Sequence, residues 1–111
     1  MLIYKLFRPA EWDILVRDGA TPGAPIDIAD GYVHFSTASQ VAETARRYFA
    51  DVEGVVLVAV EADALGPDLV WEPSRGGDLF PHLYREMRMT DVAWHEVLAS
   101  GPDGHRFPDL A

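Results

Sequence analysis

The sequence predicts an α+β fold in one compact domain, with two early helices packed on small mixed or antiparallel β-sheets. The chain has 111 residues, a length that suits a single domain. Helical patterns fall in the first half and strand patterns accumulate in the second half, which disfavours a doubly wound parallel fold. We expect one domain over residues 1–111, with its core at about residues 2–100 and a turn-rich surface tail at 101–111.

The first three segments have distinct patterns. Residues 2–7 alternate as a β-strand does. Residues 9–19 predict a helix, because Pro9 suits a first helical turn and Gly19 fits just past a helix end. Residues 20–31 contain two prolines among small and turn-forming residues, and predict a loop long enough to form one wall of a site.

The middle of the chain predicts a strand, a capped helix and a central strand. Residues 32–36 alternate in polarity, and residues 37–49 carry an apolar stripe at helical spacing. Thr37 and Gln40 match a capping box at the start of that helix. Residues 55–60 are apolar on both faces and rich in β-branched side chains, which is typical of a strand covered on both sides.

Three further strands are predicted in the second half. They lie at residues 69–72, 83–89 and 91–98. No glycine-rich dinucleotide fingerprint and no P-loop is present, so those two modes of nucleotide binding are not expected.

Charge and composition exclude several classes of function. Eighteen acidic residues against nine Lys and Arg give a net charge of −9, which disfavours long nucleic acid as a partner. A small anionic ligand or nucleotide held by recessed arginines is still compatible with this charge. The chain has no cysteine, no apolar run near the roughly 20 residues of a membrane span, and no signal-peptide pattern at its start. We therefore expect no membrane association and a cytoplasmic location.

The strand at residues 32–36 carries the first candidate site. Alternation places Val33 and Phe35 on the core face, and the opposite face carries three polar side chains, Tyr32, His34 and Ser36. The amides that begin the next helix could bind an anion beside His34. An ordinary exposed strand face is the alternative for His34, and helix capping is the alternative for Ser36 and Thr37.

Residues 71–84 carry the second candidate site. Arg75 is the best anion clamp in this acidic chain, and Gly76 begins a Gly-Gly pair that allows a tight turn or a close backbone approach. Phe80, His82 and Tyr84 alternate onto one face of the segment. The alternative is a glycine hairpin with an aromatic cluster and a surface arginine.

Other catalytic patterns have less support. None of the four histidines forms a ligand-spaced pair and no cysteine is available, so no metal is expected. No G-x-S-x-G motif surrounds Ser36. Glu61, Glu72 and Glu96 are candidates for paired carboxylates, but their spacing selects no two of them.

Three stretches carry a family resemblance. "IYKL", "DGYVHFSTASQV" and "LVWEPSRGGDLFPHLY" resemble a family of small bacterial and plant proteins known as domain of unknown function 952. The likeness extends from residue 2 to about residue 100. It implies a fold like that of the ADP-ribosyltransferases, in which two small sheets surround an NAD cleft that needs no dinucleotide fingerprint.

The resemblance also implies roles for individual residues. His34 and Ser36 are similar to the histidine and hydroxyl of the transferase pocket, and Arg75 with His82 would complete an anion-binding rim. The late glutamate of that superfamily has no clear counterpart, because Glu96 falls on the face of Val92 and Trp94. The implied chemistry is closer to the transferases that remove a 2′-phosphate from RNA with Arg and His side chains, acting here on a smaller substrate.

The sequence thus leads to a defined hypothesis with two alternatives. The hypothesis is an ADP-ribosyltransferase-like enzyme that binds NAD or a related small nucleotide as its substrate. The expected catalytic residues are His34, Arg75 and His82, and the expected ligand-binding residues are Tyr32, Ser36, Thr37, Gly76, Phe80 and Tyr84. The alternatives are a non-catalytic ligand-binding module and an accessory domain that forms a homodimer through residues 71–84.

Overall fold

The computed structural model describes residues 1–110, and at Arg75 it describes the backbone without the side chain. Its helices, in chain order, are α1 (Pro9–Asp18), α2 (Pro25–Asp30) and α3 (Val41–Tyr48). Its strands are β1 (Leu2–Phe7), β2 (Ala20–Thr21), β3 (Val33–His34), β4 (Val56–Glu61), β5 (Leu69–Pro73), β6 (Leu79–Leu83), β7 (Met87–Arg88), β8 (Val92–Val97), β9 (Ala99–Gly101) and β10 (Gly104–Arg106). Short 3-10 segments lie at Ala62–Asp68, Arg75–Gly77 and Met89–Asp91.

The central sheet is antiparallel and has the order β1-β4-β8. β4 lies in the middle, as its unbroken apolar sequence predicts, and five of its six residues are buried. Alternation along β1 and β4 divides the core into two clusters, one on each face. Helix α1 contributes Leu15 to one cluster, and α3 contributes Val41 and Ala45 to the other, so these two helices cover opposite faces of the sheet.

The second sheet has the order β3-β6-β5 and is also antiparallel. Its register pairs Val33 with Leu83 and His34 with His82. Two backbone hydrogen bonds of 2.8 Å each, between Tyr4 and Ser36, join this sheet to the edge of the central one. The two sheets therefore meet beside His34.

The α+β class is confirmed, with antiparallel sheets and few helices. A radius of gyration of 13.0 Å is typical of one compact domain, since a globular domain of 100 residues has about 13 Å. In the described part of the chain, no helix combines the length and the apolar character that crossing a membrane requires. The cytoplasmic location stays a prediction.

The loop predicted at residues 20–31 is wrong in part, because the segment contains β2 and α2. Pro25 occupies the start of α2, where its missing N–H costs nothing, and Gly31 ends the helix at φ +85°. The proline and glycine that indicated a loop are here the start and stop signals of a six-residue helix.

The capped helix predicted at residues 37–49 begins later, at Val41. The Gln40 Oε1 atom accepts a hydrogen bond from the Thr37 backbone N–H at 3.0 Å, which is one half of a capping box. The Thr37 hydroxyl instead contacts the Ser39 hydroxyl at 3.2 Å. Residues 37–40 therefore form turns ahead of α3, and the preceding strand is reduced to Val33–His34 and the Ser36 bridge.

The strand predicted at residues 83–89 is wrong, because β6 ends at Leu83 and β7 begins only at Met87. β6 contains Pro81 although it is the middle strand of its sheet, a place where proline is uncommon.

The turn-rich composition of residues 101–111 predicted a surface tail, and this prediction is wrong in part. β9 and β10 form a hairpin there, and Phe107 and Leu110 pack against the core.

We predict that Leu57→Ala lowers the free energy of unfolding by about 2–5 kcal/mol, because Leu57 is fully buried in β4 and truncation leaves a cavity. Val97→Ala is the control on the same sheet, since Val97 is 61% exposed. We expect it to change stability by less than about 0.5 kcal/mol. Urea denaturation of both variants checks this, and equal losses would contradict the position of the core.

Candidate functional site

A cleft of about 740 Å³ opens where the two sheets meet. Its floor includes Lys5 on β1, and its walls include His34 from β3 and His82 from β6. The starts of α1 and α2 and the end of α3 also contribute to the lining. A volume of this size is typical of a small-molecule site.

Asp27 holds one side of the cleft together. Its carboxylate is fully buried and accepts hydrogen bonds from Lys5 Nζ at 2.7 Å and from the Ala24 backbone N–H at 2.7 Å. The backbone N–H of His34 donates to it at 3.0 Å, and His34 Nδ1 lies 2.5 Å from the same oxygen. This carboxylate therefore connects β1, α2 and β3.

The charge of Asp27 is set by two opposing effects. Burial alone raises the pKa of this carboxyl, because it disfavours the charged form. The hydrogen bond from His34 and the charge and hydrogen bond of Lys5 outweigh burial and lower the pKa to about 2. Asp27 is therefore an anion at neutral pH, paired with the buried Lys5 ammonium.

His34 is held from both sides. Its Nδ1 atom faces Asp27, and its Nε2 atom lies 3.0 Å from a carboxylate oxygen of Asp30. A neutral imidazole can donate to only one of these carboxylates, whereas the protonated ring donates to both. The ring is 29% exposed, so one part of it stays open to the cleft.

His82 has a different environment. It is 3% exposed, and its Nδ1 atom lies 2.8 Å from Glu72 Oε1. The Tyr84 hydroxyl donates to the same oxygen at 2.6 Å. That hydrogen bond and the one from His82 lower the pKa of Glu72, and the bond to Glu72 raises the pKa of Tyr84 to about 12.

Tyr32 packs the two histidines into one aromatic cluster. Its ring stacks on His82 with centroids 4.1 Å apart and tilts against His34 at 4.6 Å. The two imidazoles lie 5.4 Å apart, edge to face. Tyr84 closes the cluster at 5.2 Å from Tyr32.

The remaining predicted residues divide into two groups. Ser36 and Phe80 line the cleft, and the Ser36 hydroxyl lies 3.0 Å from that of Thr44 on α3. Thr37 and Gly76 belong to the turns before α3 and before β6, where Gly76 has φ +68°. The side chain of Arg75 lies outside the described residues.

Sequence reasoning missed the buried charged pair that holds His34 in place. Lys5 falls on the same strand face as the buried Ile3 and Phe7, a pattern that could have indicated a buried charge in need of a partner. Asp27 lies in the segment taken for a loop. In the part of the chain that the structure describes, no three His, Asp or Glu side chains are arranged to hold a metal ion. A metal-free site stays a prediction.

Comparison with known proteins identifies the family. The profile of the protein of unknown function DUF952 matches residues 6–95. The chain belongs to the DUF952 family. No curated protein matches it.

Solved structures of one relative share the fold. The crystal structure of protein CC0527 from Caulobacter crescentus is 45% identical, with a TM-score of 0.91 over 95% of this chain and 92% of that one. A solution NMR structure of CC0527, also 45% identical, has a TM-score of 0.83 over 94% of this chain and 90% of that one. This DUF952 chain therefore shares its architecture with an experimentally determined relative along nearly its whole length.

We predict that Asp27→Asn lowers the free energy of unfolding by about 3–5 kcal/mol at pH 7, because it leaves the Lys5 ammonium buried without its anion. The pKa of Asp27 is lowered from 3.8 to about 2, so its ionisation stabilises the fold above about pH 4. That stability is lost as the pH falls through about 2. Denaturation of both proteins from pH 7 to pH 2 checks this, and we expect the difference between them to shrink below pH 4.

Asp18→Asn is the matched control, because Asp18 pairs with Arg17 on the surface. We expect it to lower the free energy of unfolding far less than Asp27→Asn does, because an exposed ion pair contributes little to stability. An Asp27→Asn protein as stable as this control would contradict the role given to the buried pair.

We predict that Gly23→Ala is more destabilising than Gly31→Ala. Both glycines have positive φ, +101° and +85°, where a side chain is strained by about 1–2 kcal/mol. A Cβ at Gly23 would also collide with the Asp27 carboxylate, whereas a Cβ at Gly31 meets open space. Thermal unfolding of the two variants measures the difference, and equal melting temperatures would show that Asp27 is free to move.

Proposed function

We propose that this DUF952 protein binds a small nucleotide of the NAD type in the cleft and carries out an ADP-ribosyltransferase-like reaction on it. The observation that carries the proposal is the convergence of His34 and His82 on one concave site. These residues lie far apart in the sequence, and the pairing of β3 with β6 brings them together. The proposal includes the relationship to the ADP-ribosyltransferase fold that the sequence motifs imply.

The lining of the cleft suits the parts of a nucleotide. Phe80 offers an aromatic wall for a base, and His34, oriented by Asp27, can hydrogen-bond ribose hydroxyls through its exposed part. Arg8 also lines the cleft and can neutralise a diphosphate, the role that the sequence gives to Arg75. Ser36 adds a hydroxyl on the same side as His34.

The reaction requires little beyond positioning and charge. In such a transfer the bond from the ribose C1′ to the nicotinamide nitrogen breaks, and the electron pair leaves with the nicotinamide. A nucleophile then bonds to C1′ and gives up its proton. Fixed polar groups that orient the substrate and stabilise the positive charge at C1′ are sufficient for most of the rate acceleration that such an enzyme provides. Glu96 is exposed on β8, so the cleft would rely on its histidines.

A non-catalytic binding module is the second candidate. One observation favours it, namely that both nitrogens of His34 face carboxylates, those of Asp27 and Asp30. A ring held in this way serves recognition better than proton transfer. A homodimer through the exposed side chains of Trp71, Leu79 and Tyr84 is compatible with either candidate.

We predict that calorimetry detects binding of NAD or of a 2′-phosphorylated nucleotide, and that His34→Ala weakens it at least tenfold. His95→Ala is the control, because His95 is exposed on β8 and contacts Trp12 instead of the cleft. Mass spectrometry of the nucleotide after several hours separates the two candidates. A nucleotide that stays intact supports the binding module, and affinity no better than millimolar for every nucleotide rules out both.

A further inference from the structure

The two nitrogens of the His82 imidazole have different surroundings. Its Nδ1 atom is engaged by Glu72, and within the described residues its Nε2 atom has no hydrogen-bond partner. The side chain is 97% buried and lines the cleft. Because Nδ1 is engaged by Glu72, Nε2 is the ring nitrogen left for a hydrogen bond to a molecule in the cleft. Buried polar atoms are as a rule hydrogen-bonded, so water or a substrate hydroxyl in the cleft is the partner that suits this nitrogen.

Glu72 determines which nitrogen carries the proton. The Tyr84 hydroxyl donates to Glu72 Oε1, and this bond favours the ionised carboxylate. An ionised carboxylate only accepts hydrogen bonds, so His82 Nδ1 must be the donor. In the neutral ring Nε2 then carries the lone pair.

The ring is also fixed in orientation. Tyr32 stacks on one of its faces at 4.1 Å with an interplanar angle of 25°. His34 lies edge to face with it and has both nitrogens bound to carboxylates. The two histidines therefore differ: both nitrogens of His34 face carboxylates, whereas among the described residues Nε2 of His82 faces none.

We propose that His82 is the general base of the cleft, that Glu72 is its positioning residue, and that the proton it accepts comes from a hydroxyl group of the second substrate, an alcohol or water. This inference rests on the proposed function, which supplies the NAD-type nucleotide that the hydroxyl group attacks. The hydroxyl oxygen bonds to the ribose C1′, and its proton moves to His82 Nε2. The bond from C1′ to the nicotinamide nitrogen breaks with its electron pair, and the imidazolium that forms is stabilised by Glu72.

The first test needs no nucleotide. Nitrogen-15 NMR of the wild-type protein reports which imidazole nitrogen of His82 is protonated. We expect protonated Nδ1 and unprotonated Nε2, and we expect Glu72→Ala to give a mixture of the two tautomers. Glu96→Gln is the control, because Glu96 is an exposed strand carboxylate outside the cleft lining. Protonated Nε2 in the neutral wild-type ring overturns the proposal.

The second test measures turnover. With NAD as nucleotide and water or glycerol as acceptor, we expect His82→Gln and Glu72→Ala to lower kcat by about 10²- to 10⁴-fold. Nucleotide affinity by calorimetry should change less than threefold, and His95→Gln should match the wild type in both measurements. An unchanged kcat in His82→Gln overturns the proposal. A third outcome is that NMR shows the expected tautomer of His82 but calorimetry shows no nucleotide binding. This result contradicts the proposed function and supports the assignment of His82 as a base.

Discussion

The buried contact between Lys5 and Asp27 is the interaction on which the site depends. Burying two charges costs several kcal/mol for each ion, so the pair is favourable only with good geometry and further hydrogen bonds. Asp27 obtains these from the Ala24 backbone and from His34. One carboxylate thus ties the first strand, the short helix α2 and the histidine strand to each other, and the position of His34 follows from it.

The two imidazoles illustrate how neighbouring groups give one residue type two roles. His34 and His82 are cross-strand partners in an antiparallel pair, so they share one face and one aromatic neighbour. Their carboxylates make them different. His34 lies between two carboxylates, whereas His82 contacts one carboxylate and its second nitrogen has no hydrogen-bond partner among the described residues. Strand register brings the two rings together, and the carboxylates around them give each ring different hydrogen-bond partners.

The spacing of apolar residues along the chain predicted the elements that bury one or both of their faces. The apolar run at residues 55–60 gave the central strand, and the stripe ending near Tyr48 gave α3, since burial on one or both faces leaves a periodic trace. Strand β6 was not predicted because proline, here Pro81, is uncommon in a middle strand. Helix α2 was not predicted because Pro25 was interpreted as a loop residue. The convergence of His34 with His82 was implied only by the family resemblance and by no local pattern, because it depends on the pairing of strands that are distant in the chain.

The backbone bridge between Tyr4 and Ser36 limits how far the cleft can widen. Because it ties the two sheets together beside His34, widening the cleft at this end would break backbone bonds and separate Lys5 from Asp27. The walls are therefore preorganised, and a ligand that fits them loses little affinity to rearrangement of the protein. For the ligand proposed above, selectivity would then follow from shape, because a molecule too large for the cleft could enter only by separating the two sheets.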